Sequence, residues 1–145
     1  MTAYFDTSAL IPLIIKEPST AICARAWEAA DAVASSALAY VEAHASFARA
    51  QRMGRLTDEQ LDRALEHFER LWRQAVVLTP TDVILREAAV ISGRHALRGY
   101  DAVHCASALA VRDESTYAVS GDRALLEAWH EVGVVTVDVN QWLED

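Results

Sequence analysis

No apolar run in this chain approaches the roughly 20 residues needed to span a bilayer, because charges interrupt every run within a few positions. A basic leader segment is missing too: Met1 to Leu10 carries a single charge, Asp6. The expectation is a soluble, cytoplasmic protein with no membrane partner. Cysteine is scarce. Cys23 and Cys105 lie far apart without CxxC spacing, so each is expected as a reduced, buried thiol rather than half of a disulfide or a zinc site. Positive charge is in short supply, with 13 Lys and Arg against 21 Asp and Glu for a net charge of −8. That balance excludes a protein that coats nucleic acid by bulk electrostatics. It leaves room for a nuclease, whose metal site concentrates carboxylates that cations later neutralise. Lysine is nearly absent, Lys16 being the only one, and the arginines suit phosphate forks and ordinary ion pairs equally.

What is present is enough for one domain over 1–145, with 52% of residues apolar. Strand-like and helical segments alternate. Ala3 to Phe5 reads as a strand ending at Asp6, followed by a helical turn through Leu10 to Ile15 and a helix from Thr20 to Ala30. A second strand covers Ala32 to Ser35, and the next helix runs from about Ala37 to Met53 and stops at Gly54, a favourable residue just past a helix end. Thr57 with Gln60 three residues on forms a capping-box pattern, and Leu61, Leu65, Phe68, Trp72 and Ala75 make the apolar stripe of the helix it opens. Val76 to Leu78 is a third strand, and Thr81 caps a helix with Ile84, Ala88 and Ile91 inward. A helix over Tyr100 to Arg112, a strand over Tyr117 to Ser120, a helix over Arg123 to Glu131 and a strand over Val134 to Val137 complete the chain. The alternation predicts an α/β fold of three layers, a five-stranded parallel sheet with helices on both faces. Ligands bind such sheets outside the carboxyl ends of the strands.

Four acids stand where that rule points. Asp6 follows the first strand, Asp122 follows the fourth behind Ser120 and Gly121, Asp101 sits in the first turn of its helix, and Glu42 lies near the start of the helix after strand two. The glycine is expected to let backbone approach a ligand closely. Glu42 intrudes on the stripe of Leu38, Val41 and Ala45, where a carboxylate needs a partner. Each acid also has a plainer explanation: an Asx turn for Asp6, a helix cap for Asp122, the helix dipole for Asp101, an ion pair with Arg49 for Glu42. Four acids aimed at one crevice are not explained by four caps. Carboxylates about 4 Å apart repel by roughly 4 kcal/mol per pair at an effective dielectric of about 20. Hard divalent cations remove that repulsion, so the cluster reads as a site for Mg²⁺ or Mn²⁺.

The residues then match a family pattern. Tyr4-Phe5-Asp6-Thr7-Ser8-Ala9-Leu10, the helical Glu42, Tyr100-Asp101-Ala102-Val103-His104-Cys105-Ala106 and Val119-Ser120-Gly121-Asp122-Arg123-Ala124-Leu125-Leu126 together resemble PIN-domain ribonucleases of the VapC toxin type. The ordered set spans essentially the whole chain, with Ser120 standing where threonine is common. The resemblance implies a PIN-like fold, Mg²⁺ or Mn²⁺ in the acidic crevice, endonucleolytic cleavage of RNA, a homodimer, and a VapB-like antitoxin whose tail occupies the site. Asp6 and Asp101 would be the principal ligands, with Glu42 and Asp122 completing the set directly or through water. Thr7, Ser8 and Ser120 would hold ligands or water.

Other residues carry weaker signals. His104, one turn after Asp101, is expected to pack beneath the site or bond a carboxylate, and the remaining histidines share no ligand spacing. Trp27, Trp72 and Trp129 belong to apolar stripes. Arg49 and Arg52 continue the Glu42 face down its helix and, with Arg98 ahead of Asp101, are candidates for RNA phosphates. Charge favourable to a helix C-terminus is the plainer reading for Arg49, Arg52 and Arg55. A haloacid-dehalogenase-like phosphatase would need a second aspartate where Ser8 stands. A catalytically silent PIN fold that binds RNA or a partner would be favoured by loss of an acid, and all four are present.

Overall fold

The computed structural model describes residues 1–143, with side chains through Gln141. Five parallel strands, β1 (Thr2–Phe5), β2 (Ala32–Ser36), β3 (Val76–Leu78), β4 (Tyr117–Ser120) and β5 (Val135–Asp138), lie in the order β3-β2-β1-β4-β5. The helices are α1 (Thr7–Leu10), α2 (Thr20–Ala29), α3 (Leu38–Arg52), α4 (Asp58–Trp72), α5 (Asp82–His95), α6 (Gly99–Val111) and α7 (Arg123–Glu131), with a 3₁₀ turn over Ile11–Leu13. The expected sheet, its direction and its helical crossovers are therefore as the sequence reading has them.

Alternation along β1 builds the layers. Tyr4 points into a core formed with Ile84, Ala88 and Ile91 of α5, the alanine-rich face of α6, and Leu125 and Trp129 of α7. Ala3 and Phe5 point the other way, against Leu10, Cys23, Ala26 and Val119. All three side chains are fully buried, as a central parallel strand requires. Burial pushes the thiols of Cys23 and Cys105 up to about 12, so both are inert, unpaired core residues.

A third cluster joins α3 to α4 through Ala43, Phe47 and Phe68, with Ile11, Ile14, Ile15, Leu61, Leu65 and Trp72 around them. The α4 stripe seats on Phe68, but Ala75 lies beyond the helix in the turn before β3. The Thr57–Gln60 capping box is formed in both directions. Gly54 closes α3 with φ 76°, a left-handed conformation that favours glycine. This cluster fixes α3 beside the end of β1 and so decides where Glu42 is presented.

Candidate active site

The chain leaves β1 to β2 and β3 on one side but reaches β4 and β5 on the other, so the strand order reverses between β1 and β4. Such a switch point opens a crevice at the carboxyl ends of the strands. Asp6 sits there at the end of β1, only 4% exposed. Its Oδ1 accepts the Ala9 N–H at 3.1 Å, capping α1, and the Ser8 hydroxyl at 2.7 Å. Its Oδ2 accepts the Ser120 hydroxyl at 2.7 Å. Ser120 in turn takes the backbone N–H of Asp122 at 2.9 Å, and Ser8 takes that of Gly121 at 2.8 Å. Asp122 Oδ1 caps α7 by accepting from Leu125 N at 2.9 Å. The capping of Asp6 and Asp122 does not take them out of the crevice: each caps a helix with one oxygen and also lines the cleft.

A Cβ at Gly121 would meet Val139 Cγ2 at 3.0 Å and Ser8 Oγ at 3.6 Å, so tight packing against the protein favours glycine here on its own account. Asn140 fastens the same turn by donating to Gly121 O at 2.8 Å.

Glu42 does not pair with Arg49. Its Oε1 accepts both the Thr7 hydroxyl and His104 Nε2, each at 2.8 Å. Facing a carboxylate, Nε2 carries a proton, and Nδ1 is met by the Tyr4 hydroxyl at 2.7 Å. Tyr4, His104 and Glu42 form a chain from the core into the crevice, with both donors gathered on one oxygen. Burial pushes the Glu42 carboxyl up, but the His104 hydrogen bond and charge and the Thr7 hydrogen bond outweigh it and hold the group below its ordinary value.

Asp101 lies in the first turn of α6, whose start at Arg98 brings a guanidinium over the acids. Arg98 Nε donates to Asp101 Oδ2 at 3.1 Å and Nη2 to Asp122 Oδ2 at 3.4 Å, while its charge sits 4.8 Å from the Tyr100 ring centre. Burial and the neighbouring Asp122 raise the Asp101 carboxyl despite Arg98. Burial likewise raises Asp6, against the pull of His104, Ser8 and Ser120.

Asp6, Thr7, Ser8, Glu42, Arg98, Asp101 and Asp122 line one cleft of about 390 Å³, and Ser120 lies buried beneath it. Arg49 and Arg52 stand outside the lining, exposed further along α3. Among the described residues no three acidic, imidazole or thiol groups already converge on one point within coordination distance. Arg98 spans the gap between two of the acids as a cation of the chain's own. The donor set nevertheless fits a hard divalent ion, since the acids and hydroxyls offer oxygen and the one imidazole in the lining, His104, spends its Nε2 on Glu42.

Comparison with known proteins agrees with this architecture. The chain is similar to ribonuclease VapC49 of Mycobacterium tuberculosis, with 38% identity over 130 residues covering 90% of each chain. Its fold is similar to that of PAE2754 from Pyrobaculum aerophilum, with a TM-score of 0.71 at 21% identity over 100% of this chain and 91% of that one. It also resembles a chain of a toxin–antitoxin complex from Klebsiella pneumoniae, with a TM-score of 0.64 at 17% identity over 94% and 97%. The PIN domain family model matches residues 3–129, from β1 through nearly all of α7 and across all four acids of the cleft, and the chain belongs to that family.

Proposed function

We propose that this protein is a divalent-metal-dependent endoribonuclease, the toxic half of a toxin–antitoxin pair. The observation that carries the reading is the gathering of Asp6, Glu42, Asp101 and Asp122 into one cleft at the switch point of the sheet. The kinship with a ribonuclease at 38% identity supports RNA as the substrate. The likeness to a chain of a toxin–antitoxin complex supports a small antitoxin partner. No helix among the described residues is long and apolar enough to cross a membrane; the proposed setting is the cytoplasm, with 1–145 acting as one domain. Exposed Val76 and Val77 on the β3 edge, with Val83 and Val90 on α5, support pairing with a second copy.

Asp6 and Asp101 would be the principal ligands of Mg²⁺ or Mn²⁺, with Glu42 and Asp122 beside them. When bound, the ion supplies Lewis acidity and an activated water for attack on phosphorus. The chain's own groups prepare that chemistry. Ser8 and Ser120 fix both oxygens of Asp6, and Thr7 and His104 hold Oε1 of Glu42, leaving Oε2 for the cleft. Arg98, freed from the acids, would turn its fork to a phosphate of the RNA, with Arg49 and Arg52 as further contacts along α3. The direct test is cleavage of RNA by purified protein with Mn²⁺ and with EDTA. Equal cutting in EDTA would overturn the metal-dependent reading.

Metal should also stabilise the fold, and more so at higher pH. Asp6 and Asp101 ionise above their ordinary values, so the metal-free native state binds more protons than the unfolded chain between the two values. The metal-free protein therefore loses stability as pH rises through that window, and ligation, which needs ionised carboxylates, removes the loss. At about 100 times the dissociation constant, Mn²⁺ should add about 2.7 kcal/mol, a rise in melting temperature of roughly 5–10 °C. The rise should shrink as pH falls through the raised values. Melts with Mn²⁺ and EDTA across weakly acidic pH check both claims; a shift that ignored pH would contradict the second.

A further inference from the structure

We propose that a second cleft, lined by Lys16, Arg55, Arg63 and His67, is a phosphate-binding subsite that holds the RNA strand beside the bond being cut. The subsite takes its substrate from the nuclease reading but stands on separate observations. In a chain of net charge −8, this cleft of about 390 Å³ has no carboxylate in its lining. It gathers the only lysine and two of the arginines. Lys16, Arg55 and Arg63 are all exposed, and among the described residues none forms an ion pair. Three unneutralised cations on one concave surface attract an anion that carries several charges.

The local folding brings them together. On α4, Gln60, Arg63, Ala64 and His67 follow one another at helical spacing and face the cleft. Of the carboxylates on the same helix, Asp58, Asp62 and Glu69 fall on the opposite arc at about 3.6 residues per turn, while Glu59 and Glu66 lie about one turn from Arg63 but outside the cleft lining. Arg55 emerges from the turn that ends α3, where its N–H is bonded to Ala50 O at 2.8 Å behind the left-handed Gly54. Lys16 follows Ile14 and Ile15, which form part of the floor with Leu56 and Ala64. A cationic rim over an apolar floor suits a nucleotide strand, with phosphates on the rim and sugar or base against the floor.

Position decides for RNA over an acidic protein segment. Ile11 lines the acidic cleft and Ile14 the basic one, and these are separated by one 3₁₀-like turn of chain, about 6 Å at ~2.0 Å per residue. A single strand that tracks a groove over several nucleotides can therefore occupy both clefts at once. One polyanion thus meets the acids at the phosphate to be cut and the cations at phosphates a short way along.

The test uses the full-length protein with Lys16, Arg55 and Arg63 all changed to Gln, and a labelled single-stranded RNA of about 12 nucleotides. Binding is read by anisotropy in EDTA over a salt series, so that no cleavage is needed. Removing three phosphate-binding charges should flatten the log–log salt slope by about 2. With Mn²⁺, KM for the long RNA should rise about tenfold at unchanged kcat, while a dinucleotide too short to reach the cleft is cut as before. Arg63→Glu alone should weaken long-RNA binding further than Arg63→Gln, and unchanged melting temperatures establish that the variants fold. An unaltered slope and KM would overturn the subsite and leave the nuclease reading intact. Loss of binding to poly-glutamate with RNA binding unaltered would also overturn it, in favour of a protein ligand. A flattened slope in the triple variant, beside a wild type that binds RNA but never cuts it, would uphold the subsite and overturn the nuclease reading.

Discussion

Asp101→Asn should lower Mn²⁺-dependent RNA cleavage by more than ~100-fold, the upper end of what the supporting partners of a metal ligand cost. The substitution keeps the shape of the side chain and removes only its charge. Asp101 ionises reluctantly because burial and Asp122 oppose it, so the neutral amide spares the metal-free fold that opposition. The lost pairing with Arg98 is small, since Arg98 is 65% exposed and retains Asp122. The metal-free variant should therefore melt no lower than the wild type, while its Mn²⁺ response shrinks. Full activity, or a much lower melting temperature without metal, would make Asp101 a structural residue and remove the basis for the cleft as a metal site. Asp6→Asn should be equally inactive but less neutral in stability, because the amide cannot accept from Ser8, Ser120 and Ala9 together.

His104→Ala should cost about 2–4 kcal/mol, the sum of a small cavity and of polar groups stranded in the core. His104 is 2% exposed and joins Tyr4 to Glu42. Its removal leaves the Tyr4 hydroxyl facing a void at zero exposure and frees Glu42 to swing on Thr7 alone. His104→Gln separates the two consequences: an amide can accept from Tyr4 and donate to Glu42, so much of the stability should return. If the histidine serves to position Glu42, the glutamine variant should also recover Mn²⁺ affinity, measured by calorimetry, and not merely the melting temperature. An alanine variant as stable as the wild type would show that the chain of hydrogen bonds contributes nothing.

Much of this is readable in the sequence because the signals are local. The capping box at Thr57, the stop at Gly54 and the inward positions Ile84, Ala88 and Ile91 depend on residues within a turn of one another. The placement of Asp6 and Asp122 at strand ends follows from alternation plus the switch-point rule. What escapes depends on neighbours distant in the chain. Glu42 is legible as a carboxylate in need of a partner, but its partners come from α1 and α6, 35 and 62 residues away. The packing at Gly121 is hidden for the same reason, since Val139 belongs to a segment that only the folded sheet brings near. Arg98 has one partner within reach of a local reading, Asp101 three residues on, but its second, Asp122, lies 24 residues away and is brought close only by the fold. Lys16, Arg55 and Arg63 sit on three separate segments, and only the packing of α3, α4 and the Ile11–Leu13 turn makes them neighbours.

The strand order has a further consequence during synthesis. The middle strand β1 is made first, yet its second hydrogen-bonding edge stays open until β4 arrives more than a hundred residues later, as the register of Ala3 with Tyr117 requires. Pairings so distant in sequence form late and slowly. A nascent chain that has emerged only as far as α6 already carries Asp6, Glu42 and Asp101, but lacks Ser120 to fix Asp6 and Asp122 to close the cleft. The cleft is therefore complete only once the segment from β4 to Asp122 has been made, more than a hundred residues after Asp6, and no shorter nascent chain carries its full set of acids.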